Sequence, residues 1–320
     1  MSRLRDRAAE RATLGLYRLG WTAVRRLPER AAYRLFDGVA DLAWWRHGTG
    51  VRRLEANLAR VRPGLDPAGM RRLSRDGMRS YLRYWCDSFR LPDWDEQRIV
   101  GSVRVVGDEP VRATLAAGRG VVMFLGHLGN WDHAGAWSTV RLAPVTTVAE
   151  RLHPVELFDQ FVAFREQLGM TVVPLGDAGV FRRLGGALRA GGFVPLLADR
   201  DLTDGGVEVQ LFGEPARVAV GPAALALQTG AALHPVGIHY ERLLPPRGTG
   251  WGIVITWYDE VPAVQRQGTG SAATRAAVRA MTQSCVDALA VAIDEHPQDW
   301  HMLQRVFTVD LEPRPSGGRR

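Results

Sequence analysis

His127 stands between an apolar run, Gly120 to Leu125, and a helical pattern through Ala134, Ala136 and Trp137, with Asp132 five residues further on. A histidine held in one tautomer by a carboxylate can take a proton from a hydroxyl at its other ring nitrogen. That is the minimal equipment for general-base acyl transfer. Asp132 is expected to orient His127 and to stabilise the imidazolium once formed. Only His127 of the eight histidines has an Asp at that spacing. A core histidine beside a helix-starting Asp leaves the same pattern, so the surroundings must decide.

If the run ending at Leu125 is a strand of a parallel sheet, His127 emerges at the carboxyl edge, where open α/β sheets bind ligands. The unpaired N–H groups of the following helix are expected there to favour developing negative charge, and nearby backbone N–H groups to hold an oxyanion. A second cluster, Asp199-Arg200-Asp201, directly follows the apolar run Phe193 to Leu197. Charges at the end of a buried strand are costly unless paired or functional. Two readings stand: a structural ion-pair network, or Arg200 holding a phosphate while Asp199 tunes the catalytic pair. Arg165, alone on an amphipathic helix, reads first as solvated or paired on the Glu166 side. Val207 to Gly213 reads as strand or loop, ahead of a helix opening at Pro222.

Other chemistries lack their residues. There is no Gly-x-Ser-x-Gly elbow, no lysine for a phosphate-binding loop, and no Gly-x-Gly-x-x-Gly after a strand. Asp132 and His133 are adjacent and point apart on a helix, so no metal site is expected.

The elements that must position these residues change character along the chain. Residues 6–29, 30–46, 50–61 and 67–90 show helical periodicity, the first with Leu14, Tyr17, Trp21, Val24 and Leu27 on one side and arginines opposite. Strands are expected at 102–106, 120–125, 145–149, 170–174, 193–198, 232–239 and 251–257. Helices are expected at 109–117, 131–141, 155–168, 178–190, 219–228 and 273–295. This alternation predicts an α/β fold with a mostly parallel central sheet flanked by helices. The expected organisation is an amphipathic helical segment at 1–95, an α/β core at 96–310 and a disordered tail at 311–320.

All 41 basic residues are arginine, and residues 1–95 carry a net charge of +9 against −2 for the remainder. The N-terminal helices therefore read either as a packed subdomain with solvated arginines or as an interfacial anchor on an anionic surface. Their Trp- and Leu-bearing faces argue against nucleic acid as partner. Cys86 and Cys285 lie far apart and read as reduced thiols. No apolar segment follows the first arginines, and no run approaches ~18 apolar residues. The expectation is a soluble or peripheral protein.

Taken as an ordered set, the motifs resemble one family. Gly126-His127-Leu128-Gly129-Asn130-Trp131-Asp132 is similar to the lipid A late acyltransferase branch of the glycerolipid acyltransferase superfamily. Thr147 to Leu152, Phe164 to Gly169, Asp199 to Thr203 with Gly206 to Val209, and Asp299 to Gln304 resemble the actinobacterial phosphatidylinositol mannoside acyltransferases. The resemblance spans about residues 10–305. It implies a peripheral enzyme at the cytoplasmic face of the cell membrane that moves a fatty acyl group from acyl-CoA to a mannose hydroxyl of a phosphatidylinositol mannoside. Acyl-CoA is then a co-substrate, and no cofactor or metal is implied. The resemblance makes His127, Asp132 and Asp199 the catalytic set. Arg165, Arg200, Asn130, Glu150 and Glu208 become substrate-binding. Two positions depart from the family: Asp199 stands where Glu is common, and Leu211-Phe212-Gly213 where Phe-Phe-Gly is expected. The motifs specify transfer to a hydroxyl better than they specify which one. A lysophospholipid or another glycolipid as acceptor, and a catalytically silent lipid-binding protein, remain as alternatives.

Overall fold

The computed structural model describes residues 23–151, 155–177, 179–201, 205–245, 247–248, 250–264 and 270–311. Most of the helix expected at 6–29 and nearly all of the tail expected at 311–320 lie outside the described residues.

The fold is α/β, with a mostly parallel central sheet flanked by helices. In chain order the described strands are β1 (Val103–Val106), β2 (Val121–Leu125), β3 (Thr146–Ala149), β4 (Thr171–Pro174), β5 (Phe193–Leu197), β6 (Val207–Leu211), β7 (Glu214–Val218), β8 (Ala232–Leu243) and β9 (Gly250–Trp257). The central sheet has the order β1-β9-β8-β2-β5. Every pairing in it is parallel except β8 with β9. β2 and β5 are apolar throughout because helices cover both of their faces. Pro195 cannot donate to a ladder and sits on β5, at the margin of this sheet. The small parallel sheet β3-β4 adjoins there, and Thr147 donates to the Pro195 carbonyl at 2.8 Å.

In β2 and β5, Leu125 pairs with Leu197 at the carboxyl ends. His127 and Asp199 each follow two residues later, so the register delivers both to one edge. The β2 loop is tightly packed at two glycines. A β-carbon on Gly126 would lie 2.6 Å from Leu128 Cδ1, and one on Gly129, at φ +56°, would lie 2.7 Å from the Ile238 carbonyl oxygen.

The segment read as strand or loop is the antiparallel hairpin β6-β7. Its two turn residues, Phe212 at φ +51° and Gly213 at φ +79°, are both left-handed, as a tight two-residue hairpin requires. The Phe212 ring lies against Trp300, with centroids 6.4 Å apart. The position that departs from Phe-Phe-Gly is Leu211, which is buried in the main core.

The helix Ser271–Glu295 is long and apolar enough, by length and composition, to cross a bilayer, which the run-length reading missed. About half of its most apolar stretch is buried, and Met281, Cys285, Leu289 and Ile293 belong to the main core. It is packed here as a core helix.

The N-terminal part comprises helices Glu29–Trp45, Thr49–Val61 and Pro67–Arg90. Asp66 caps the last of these, accepting from Gly69 N at 2.6 Å, with Pro67 at the first helical position. One face of that helix carries Ser80, Tyr84 and Asp87, all buried against the α/β core. Asp87 accepts from Tyr33 Oη at 2.6 Å and from Tyr240 Oη at 2.9 Å, tying two helices to β8.

Burial raises the Asp87 carboxyl from 3.8 to about 6 against the pull of those two hydroxyls. A carboxyl raised on folding binds its proton more tightly in the native state, so stability falls as pH climbs from about 4 to about 6. Asp87→Asn removes this titration. Its melting temperature, followed by circular dichroism, should vary less than wild type across that interval.

Candidate active site

The loop after β2 and the loop after β5 meet at the carboxyl edge of the sheet. His127 Nδ1 lies 2.5 Å from Asp199 Oδ1, and the His127 backbone N–H donates to Asp199 Oδ2 at 2.8 Å. Trp300 Nε1 donates to the same Oδ2 at 3.1 Å. Asp199 is 1% exposed, so a charge there is tolerable only because these donors surround it. Although burial opposes it, the neighbouring His127 and these hydrogen bonds hold the Asp199 carboxyl below its ordinary value. With Nδ1 held by a carboxylate, Nε2 is left for the cavity that the ring borders.

That cavity measures about 300 Å³. His127, Arg165 and Arg200 stand on its wall, while Met123, Phe161 and Met170 are among the mostly apolar remainder. The arrangement pairs a proton acceptor with an apolar chamber and two guanidinium groups.

Residues 5–308 match the profile of the bacterial lipid A biosynthesis acyltransferase family. The chain belongs to that family. It is similar to a phosphatidylinositol mannoside acyltransferase of Mycobacterium tuberculosis, with 43% identity over 96% of this chain and 92% of the relative. It is also similar to a protein of the same description from Mycolicibacterium smegmatis, with 41% identity over 92% of this chain and 91% of the relative. The chain is thus an acyltransferase.

Within this acyltransferase the carboxylate on His127 is Asp199, which corrects the expectation that Asp132 orients the ring. Asp132 is 2% exposed and borders the same cavity, but its carboxylate is bound to other partners. Its Oδ1 accepts from Arg165 Nε at 2.7 Å and its Oδ2 from Tyr84 Oη at 2.8 Å. Arg165 is therefore neither solvated nor paired on the Glu166 side. It reaches from helix Val155–Gln167 to helix Trp131–Arg141.

The charged triplet separates into three partnerships rather than one network. Asp199 meets His127, Arg200 Nη2 lies 3.3 Å from Glu150 Oε2, and Asp201 lies 3.5 Å from Arg217 Nε. Arg200 and Glu150 both border the cavity, and Arg200 Nε is buried without a partner among the described residues.

Asn130 and Glu208 do not border the cavity. Asn130 is fully buried, and its Oδ1 accepts from His133 N at 2.9 Å as the N-cap of helix Trp131–Arg141. Glu208 is exposed on β6, 3.3 Å from Thr308 Oγ1. Neither side chain, though expected to bind substrate, lies on the cavity wall. His133 turns to the Ile99 carbonyl at 3.1 Å, and burial lowers its pKa to about 4.

The backbone donors of the β2 loop are already taken. The N–H groups of His127, Leu128 and Gly129 already bond Asp199, Gly126 O and Asp299 O respectively. Arg200 is a cation on the cavity wall.

Sequence reasoning missed Ser80, Tyr84 and Trp300. Ser80 and Tyr84 share a face of helix Pro67–Arg90, and that polar stripe among apolar positions was the available signal. Trp300 carried none beyond its place in the Asp299 to Gln304 run.

Two substitutions separate the carboxylates. Asp199→Asn removes the charge that braces His127 and should lower acyl-transfer turnover at least about a hundredfold with little loss of folded protein. Asp132→Asn strands the half-buried Arg165 cation, so its principal effect should be about 3–5 kcal/mol of lost stability in urea unfolding.

Proposed function

We propose that this acyltransferase moves a fatty acyl group from acyl-CoA to a mannose hydroxyl of a phosphatidylinositol mannoside, acting peripherally at the cytoplasmic face of the membrane. The observation that carries this reading is the buried Asp199 bracing His127 at the wall of an apolar cavity. The acceptor follows from the two mycobacterial relatives, both phosphatidylinositol mannoside acyltransferases.

His127 Nε2 takes the proton of the attacking hydroxyl as its oxygen bonds to the thioester carbonyl carbon. Asp199 stabilises the imidazolium that results. The tetrahedral intermediate then collapses, the carbon–sulfur bond breaks, and the imidazolium returns its proton to the departing thiolate. One ester and one CoA thiol result, with no covalent enzyme intermediate. Arg200 is the cation for the oxyanion or for a substrate phosphate. The apolar wall takes the acyl chain, each buried methylene contributing about 0.8 kcal/mol.

Membrane association is supported by helix Glu29–Trp45. Leu35, Val39, Leu42 and Trp45 form an exposed apolar stripe on it, Trp45 being 72% exposed. Arg30, Arg34 and Arg46 are exposed beside them. Apolar side chains at the acyl boundary with arginines at lipid phosphates is the interfacial pattern.

Incubation with labelled long-chain acyl-CoA and a panel of acceptors tests the reaction directly. Mannosylated phosphatidylinositol should become labelled with stoichiometric thiol release, and His127→Ala should abolish both while acyl-CoA binding persists. Labelling of a lysophospholipid instead would reassign the acceptor, and no thiol release with any acceptor would refute catalysis. Val39→Asp with Trp45→Asp should weaken sedimentation with anionic vesicles; undiminished sedimentation would remove this helix as the anchor.

A further inference from the structure

The His127 ring is gripped by Asp199 at one nitrogen, and a flank is needed to fix where the other nitrogen points. Trp131 supplies that flank. The two rings meet edge to face, with centroids 5.4 Å apart and planes at 76°, and both border the cavity. At that separation an edge-to-face aromatic contact is attractive. Trp131 is itself held. The Tyr84 ring lies against it at 4.1 Å between centroids, tilted by 31°, and Tyr84 Oη donates to Asp132 Oδ2 at 2.8 Å. Asp132, which does not touch His127, thereby reaches it through two rings. The chain between the two side chains is equally fixed. Gly129 turns it at φ +56°, Asn130 caps the helix that Trp131 opens, and the His301 N–H holds the His127 carbonyl at 2.8 Å. Trp131 Nε1 is buried without a hydrogen-bond partner among the described residues, so ring contacts, not its N–H, place the indole.

We propose that Trp131 is a positioning residue for the general base: it fixes the plane of the His127 imidazole, so that Nδ1 stays on Asp199 while Nε2 stays free for the hydroxyl. Tyr84 is its support. The inference rests on the acyl-transfer reading above. Trp131 touches no reacting atom and acts through His127. The competing account is that the indole merely adds apolar wall for the acyl chain, and the two differ in what a substitution changes. Loss of a positioning contact misaligns proton transfer and lowers kcat, because a displacement of about 1 Å can cost as much as about a hundredfold. Loss of apolar wall weakens ground-state binding and raises KM for acyl-CoA with kcat intact.

Trp131→Phe keeps an aromatic flank, and Trp131→Leu removes it. W131F should retain kcat within about threefold, whereas W131L should lose about thirtyfold in kcat with KM for acyl-CoA within about threefold of wild type. Proton NMR reads the ring directly. The Nδ1 proton on the Asp199 bond should give a far-downfield resonance in wild type and W131F that is absent from D199N, and W131L should move or broaden it. An undiminished kcat in W131L overturns the proposal. So does a raised acyl-CoA KM with kcat intact, which assigns Trp131 to the chain-binding wall. A kcat lost in W131L with the downfield resonance unchanged also overturns it, since the ring has then not moved. Equal losses in W131F and W131L do the same, because an aromatic flank is then not what matters. Should W131L fail to fold, nuclear Overhauser contacts between the two rings in the wild-type protein decide: their presence supports the proposal and their absence overturns it. A wild-type protein that releases no CoA thiol with any acceptor refutes the acyl-transfer reading instead, and the resonance comparison still reports on Trp131.

Discussion

A buried carboxylate must be surrounded by donors, and much of this structure follows from satisfying that condition at Asp199. Its donors are the backbone and ring of His127 and the indole of Trp300. They come from three distant parts of the chain, so the pairing exists only when β2, β5 and the segment after helix Ser271–Glu295 are assembled together. The parallel register of Leu125 with Leu197 sets the first two side by side. The third is fastened by an isolated bridge between Leu128 and Trp300 and by the His301 N–H on the His127 carbonyl. Gly126 completes the arrangement, since a β-carbon there would come within 3.2 Å of Asp199 Oδ2.

Around this pair, a second layer of buried polar groups is organised by one helix. Ser80, Tyr84 and Asp87 project from a single face of Pro67–Arg90 to Asp299, Asp132 and the hydroxyls of Tyr33 and Tyr240. Each of these carboxylates would be expensive in the interior without such a partner. The N-terminal helices are therefore joined to the catalytic part by directional hydrogen bonds as well as by apolar packing. That fixes helix Glu29–Trp45, with its exposed stripe, relative to the cavity.

Asp199 is also instructive as a departure. The resembling family commonly places Glu here, one methylene longer, yet Asp199 reaches His127 Nδ1 at 2.5 Å. The His127 N–H donates to the second oxygen at 2.8 Å. The same closeness removes that N–H from any role with an oxyanion. Arg200, by contrast, is a cation on the cavity wall itself.

The residues by themselves determined the alternation of elements, because apolar runs of strand length and helical periodicity report burial directly. They also determined that His127 and Asp199 end apolar strands and stand where α/β sheets bind ligands. Hydrophobic patterning did not reveal the β6-β7 hairpin, whose turn depends on two left-handed residues, one of them Phe212. Nor did spacing reveal which carboxylate braces the histidine. Asp132 is five residues from His127 but lies on a helix turned toward Arg165 and Tyr84. Asp199 is far away in sequence but one strand over in space. Sequence separation measures distance along the chain, whereas a hydrogen bond requires proximity and direction together. Only strand register and helix orientation supply those, and both are properties of the packed molecule.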